Sequence, residues 1–403
     1  MKYLLAFFLF FGTTKIYAQA VGNDLVMGKV DSIYSTILHQ ERKIWVSVPD
    51  SNTAYYKRNP VLYLLDAESH FYSTVAMIRQ LRDVLPDLIV IGIPNIDRDH
   101  DLTPTRVEGS APTSGGAEGF TNFIEKELIP HVDSVYPTAP YRILSGHSYG
   151  GLFVMNTFVH HNSLFNAYFA LDPSIWWDKQ LVFNQAKQFI SQHQFNNQSL
   201  FLAFTNSLGF ADAGFKYKAL DTTWVKKDTS ESTLMLRTNF LFRDALQHNK
   251  TNGLNWDYKY YPEEVHGTVE LIAEYDALHF LFDYWLFMDY KKMYDPNYNG
   301  AEIYTNHFKE ISKHLGYAVL PSESFIGAVA YELLKRKNYK TAFTFFTMWV
   351  EYFPEDYNAY DSMGDYYVET GDKQKAIEYF KKALAMKENP DSRKKLEELL
   401  EKK

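Results

Sequence analysis

Residues 141–153, Tyr-Arg-Ile-Leu-Ser-Gly-His-Ser-Tyr-Gly-Gly-Leu-Phe, open on the apolar run of a strand and close on that of a helix. Between the two, Gly146-His147-Ser148-Tyr149-Gly150 fits G-x-S-x-G, the pattern of a nucleophile elbow. A serine on a sharp strand-to-helix turn presents its hydroxyl clear of the sheet. Gly146 and Gly150 leave no Cβ where strand and helix nearly touch. The helix N-terminus then brings unpaired N–H groups, beginning with that of Tyr149, under the reacting centre. This makes Ser148 the expected nucleophile.

The rest of the chain supplies the frame for such a turn. Residues 33–38 and 44–48 read as an opening antiparallel pair. Residues 61–65 and 88–93 are continuous apolar runs that suit strands buried on both faces. Further strands are expected at 165–171, 199–205 and 256–261, the last near an edge. Helices are expected over 72–84, 120–135, 152–160, 181–193, 233–249 and 268–290. Alternating strands and helices predict an α/β domain with a mostly parallel sheet, over residues 24–292.

Asp295-Pro-Asn-Tyr-Asn-Gly300 interrupts the alternation, and everything beyond it reads as helix. Residues 293–320 form a helical connection. In 321–403 a period of 34 appears, with Ala342 matching Ala376 and Phe346 matching Phe380. The pattern is that of a tetratricopeptide-like helical domain. With about two repeats visible, where such arrays need roughly three, the unit is expected to lean on the α/β domain.

The N-terminus carries a separate signal. Lys2, an apolar run over 4–11, and alanines at 18 and 20 predict a secretory signal peptide over 1–20. The apolar run is too short to span a bilayer, so no stable membrane insertion is expected, and a periplasmic or secreted location is. The 403 residues contain no cysteine, which excludes a disulfide framework or thiolate metal site. A net charge of −8 offers no basic field for phosphates, so a nucleic-acid partner is not expected. No H-E-x-x-H and no phosphate loop occur, and acyl transfer at a serine needs neither metal nor cofactor.

A serine needs a base. His266, in Glu263-Glu-Val-His-Gly267 just past the last expected strand, has the right place in chain order. His147 and His70 are read as packing or orienting residues. The carboxylate that would hold the imidazole is open. It should follow the strand at 199–205, where Asp212 is the nearest acid, with Asp221, Asp228 and Glu231 further along. Asp172, after the preceding strand, is an alternative, and so is a Ser–His dyad without an acid. The oxyanion donors are expected to be the N–H groups of Tyr149 and of Ala67 or Glu68. Glu68, Trp176 and Trp177 are expected to line the substrate pocket, with core packing as the competing reading for the two tryptophans.

These motifs together carry a resemblance. Residues 61–66, 90–98 with 101–104, 144–151, 173–178 and 264–267 resemble the putative esterase family of α/β-hydrolases, the group of enterochelin esterases, esterase D and feruloyl-esterase-like enzymes. The resemblance covers roughly residues 33–290. It implies a serine carboxylic-ester hydrolase acting on a small-molecule ester, with Ser148 as nucleophile and His266 as base. Two departures stand out: Asp66-Ala67 replaces the family's frequent Asp-Gly, and Asp172 stands where serine is common. The lack of an acid directly after residue 205 parallels members that look like Ser–His dyads. The substrate does not transfer, because siderophore trilactones, feruloyl or acetyl sugar esters and simple acyl esters are all hydrolysed in the family. The rival expectation is a catalytically idle hydrolase fold that serves as a scaffold and binds a protein partner through its helical repeats.

Overall fold

The structure, a computed structural model, describes residues 26–50, 58–109, 111–207, 223–295 and 297–401. The expected signal peptide lies outside the described residues, as do Asp212 and Asp221.

Eight strands form one sheet in the order β1-β2-β4-β3-β5-β6-β7-β8. They are β1 (Lys29–Ser35), β2 (Gln40–Ser47), β3 (Asn59–Leu65), β4 (Ile89–Ile93), β5 (Thr138–His147), β6 (Ala167–Leu171), β7 (Ser199–Thr205) and β8 (Asn255–Tyr261). β1 pairs with β2 and β2 with β4 antiparallel; every other pair is parallel. β3, β4, β6 and β7 are buried throughout, as their unbroken apolar runs require. β8 alternates exposed and half-buried residues, because it is an edge with one neighbour. The parallel strands all deliver their C-terminal ends to one rim, where ligands collect in open α/β sheets.

Apolar side chains pack on both faces. On one, helices 149–160 and 177–192 bury Phe153, Phe158 and Val182 against Tyr63, Leu144 and Leu200. On the other, the helices Ala67–Gln80 and Glu270–Leu281 cover Leu62, Phe169 and Phe201.

The helix expected over 268–290 is shorter than its apolar pattern. It runs from Glu270 to Leu281, breaks at Phe282, and helix resumes only over Tyr290–Tyr294. Phe282 and Phe287 remain buried through the break. Those two rings anchor the segment, while Leu286 and Met288 beside them are exposed.

Beyond it, Gly300–Leu315 leads into five helices ending at Glu401. Glu323–Lys335 pairs with Tyr339–Tyr352, and Tyr357–Thr370 with Lys373–Met386. Small residues face aromatic ones inside each pair. A Cβ at Gly327 would lie 2.7 Å from the Trp349 ring, and one at Gly364 would lie 2.6 Å from that of Phe380. The apolar cluster on the second sheet face continues without a gap through Phe282, Phe287, Met293 and Ile311 to Leu333, Phe346 and Phe380. The repeats therefore lean on the α/β domain, as their small number requires. Among the described residues, no helix is long and apolar enough to cross a membrane.

Candidate active site

β5 ends at His147 and the next helix starts at Tyr149, so Ser148 alone makes the turn. Its backbone is left-handed, with φ 60° and ψ −114°. This strain for a non-glycine residue is the expected geometry of the elbow. Ser148 is tied down on both sides: its N–H donates to Leu171 O at 3.0 Å, and its carbonyl accepts from Ser174 N at 3.1 Å. A Cβ at Gly146 would meet the Gly150 backbone at 2.6 Å, which is why glycine stands there.

Ser148 Oγ lies 2.9 Å from His266 Nε2, and His266 Nδ1 lies 2.7 Å from Asp172 Oδ2. Asp172 is fully buried at the end of β6. Its carboxylate also accepts from Thr205 N at 3.1 Å and from Thr205 Oγ1 at 2.7 Å. A buried carboxylate with these donors stays oriented toward the imidazole. The acid at His266 is thus Asp172, weighed from sequence only as an alternative to Asp212. β6 lies directly beside β5 in the sheet, so the loop after β6 reaches the histidine.

The two residues expected to supply oxyanion donors both stand at helix starts. Tyr149 and Ala67 each open a helix, so neither N–H has an intrahelical acceptor. Asp66, just before Ala67, is left-handed at φ 52°. Its carboxylate takes Arg98 Nε at 2.7 Å, Arg98 Nη2 at 3.0 Å and Asn95 Nδ2 at 2.7 Å. Arg98 also reaches His147 O at 3.3 Å and lies over the Tyr149 ring. One guanidinium therefore braces the β3 loop against the elbow. Glu68 is exposed and accepts from Asn95.

The two tryptophans separate. Trp176 is half-buried, whereas Trp177 is in the core, edge-on to Tyr149, with its Nε1 donating to Thr105 Oγ1 at 3.1 Å. The core reading holds for Trp177, because its ring supports the elbow helix from beneath.

Behind the serine lies a group that sequence reasoning did not assemble. The His147 ring stands 4.5 Å from that of His266, and its Nδ1 lies 3.0 Å from Glu270 Oε1. Burial, then the nearby His266, pushes the His147 pKa down to about 3. The neutral imidazole is thus the favoured form of His147 at physiological pH. Ser145 Oγ donates at 2.5 Å to Glu274, whose carboxyl is pushed up to about 7 by burial. The unfolded chain releases that proton near 4.5, so the folded state holds more protons between the two values. Stability from this group is full below pH 4.5 and falls as pH rises toward 7, by a total on the order of 3 kcal/mol. Glu274→Gln should flatten that decline in urea unfolding measured from pH 4.5 to 7.5, and an unchanged slope would refute the assignment.

The fold defines the class, an α/β-hydrolase fold, and at its sheet rim Ser148, His266 and Asp172 are joined by hydrogen bonds. The comparisons agree with it. Residues 35–212 match the family model described as putative esterase, and residues 357–390 match a tetratricopeptide repeat. The ferri-bacillibactin esterase of Bacillus subtilis is 35% identical over 163 residues, which are 35% of this chain and 56% of that protein. A siderophore enterobactin esterase of Emericella nidulans is 32% identical over 166 residues, 35% of this chain and 55% of that one. The chain thus spans about half the length of these curated relatives. Among solved structures, an IroE-like serine hydrolase from Shewanella oneidensis has a TM-score of 0.67 at 26% identity, covering 81% of this chain and 99% of its own. An uncharacterised protein from Capnocytophaga ochracea covers 92% of this chain and 99% of its own at a TM-score of 0.61 and 16% identity, a likeness of fold alone.

Proposed function

We propose that this chain is a serine carboxylic-ester hydrolase acting on siderophore-type esters. The observation that carries the proposal is the hydrogen-bonded line Ser148 Oγ, His266 Nε2, His266 Nδ1, Asp172 Oδ2. Ser148 Oγ attacks the ester carbonyl while His266 Nε2 takes its proton. Asp172 fixes the imidazole tautomer and stabilises the imidazolium. The tetrahedral oxyanion faces the N–H groups of Tyr149 and Ala67. His266 returns the proton to the departing alkoxide, leaving an acyl-enzyme. Water, activated by the same histidine, then releases the acid and restores Ser148.

The substrate class rests on the relatives, which are named for ferri-bacillibactin and enterobactin. The pattern of residues 2–20 supports export of the chain. The test is a hydrolysis screen with the purified protein against a catecholate trilactone, a feruloyl sugar, an acetylated sugar and p-nitrophenyl acetate. The trilactone should exceed p-nitrophenyl acetate in kcat/KM by ~100-fold, because contacts remote from the ester assist the reacting centre. Preference for the feruloyl or acetyl sugar would reject the siderophore assignment.

A further inference from the structure

Beneath the elbow, on the sheet face away from the Tyr149–His160 helix, three elements enclose a cavity of about 20 Å³, enough for one water or ion. Helix 67–80 contributes His70, β5 contributes Ser145 and His147, and helix 270–281 contributes Glu270 and Glu274. One ligand atom from each of His70, His147 and Glu270 lies within 4.8 Å of the others. Glu274 is fully enclosed, and while its Oε2 accepts from Ser145, its Oε1 has no hydrogen-bond partner among the described residues. An unpaired carboxylate oxygen in the interior is costly, and native structures leave few of them. Two carboxyl groups line the cavity, and no lysine or arginine among the described residues does. Exposed Ser73 and Leu271 stand at its rim and leave a path from solvent.

We propose that this cavity is a binding site for a single divalent transition-metal ion of the zinc type, held by His70, His147 and Glu270. Two imidazoles and one carboxylate are a donor set that suits Zn²⁺, with a fourth position left for water. Water on the ion can donate to Glu274 Oε1 and so give the unpaired oxygen a partner. The ion links helices 67–80 and 270–281 to the strand that carries Ser148, so it braces the elbow from behind. The site does not depend on the hydrolase reading, since metal uptake is measured without turnover.

The test is isothermal titration of the chelator-stripped full chain with ZnCl₂, paired with thermal melts. The wild type should bind one equivalent and melt at higher temperature with zinc. His70→Ala, at a half-exposed position that the fold tolerates, should bind at least ~10-fold more weakly and lose the thermal shift. Glu270→Gln should do the same, and His266→Ala should bind as the wild type does. No stoichiometric uptake by the wild type overturns the proposal. Undiminished uptake by His70→Ala overturns it too, as does uptake lost only in His266→Ala, which would put the ion at the serine–histidine pair.

Discussion

Asp172→Asn should lower kcat for p-nitrophenyl acetate by ~10⁴-fold with little change in KM, the size of effect seen when a triad aspartate becomes an amide. Asn can still reach His266 Nδ1, but it can present an N–H there and hold the imidazole in the tautomer that cannot accept the Ser148 proton. It also leaves no charge to stabilise the imidazolium. Asp212→Asn should change kcat by less than about threefold, since His266 Nδ1 already has its carboxylate partner in Asp172. The reversed result would return the acid to the loop after β7. Thr205→Val separates a further contribution: it removes the 2.7 Å hydroxyl contact to Asp172 and keeps the backbone donor, so its loss in kcat should be smaller.

Gly146→Ala is expected to reduce both stability and turnover by a different route. The added methyl would lie 2.6 Å from both C and O of Gly150, and no flexible side chain is there to move aside. β5 and the helix that follows must separate, which costs ~3 kcal/mol of stability, at the upper end for overpacking. The same shift moves Ser148 Oγ off the imidazole, and a misplacement of about 1 Å reduces turnover ~100-fold. Urea unfolding and ester hydrolysis report the two losses separately. Wild-type values in both would mean that strand and helix do not approach as closely as the elbow requires.

The contrast between these two residues shows what was legible in the sequence. Gly146, Ser148, Tyr149 and Gly150 interact within one turn, so spacing alone carries their geometry. His266 was legible because it follows the last strand directly. Asp172 was harder to identify, since its role depends on which strands are neighbours: β6 lies beside β5, and Thr205 at the end of β7 turns its hydroxyl onto the carboxylate. Neither relation leaves a local trace. The grouping of His70 with Glu270 and Glu274 was not legible for the same reason, because they come together only once two helices pack on one sheet face. The helical tail was legible through its period. The break at Phe282 was hidden, because residues 282–288 are as apolar in composition as a helix.

The central claim is that Ser148 Oγ is activated by His266. Labelling of the purified chain with a fluorophosphonate probe, followed by peptide mass spectrometry, tests it most directly. The account predicts one adduct, on Ser148, that disappears in Ser148→Ala and forms far more slowly in His266→Ala. An unlabelled wild type, or an adduct that persists in Ser148→Ala, would contradict it and leave the fold as a scaffold whose working surface lies elsewhere.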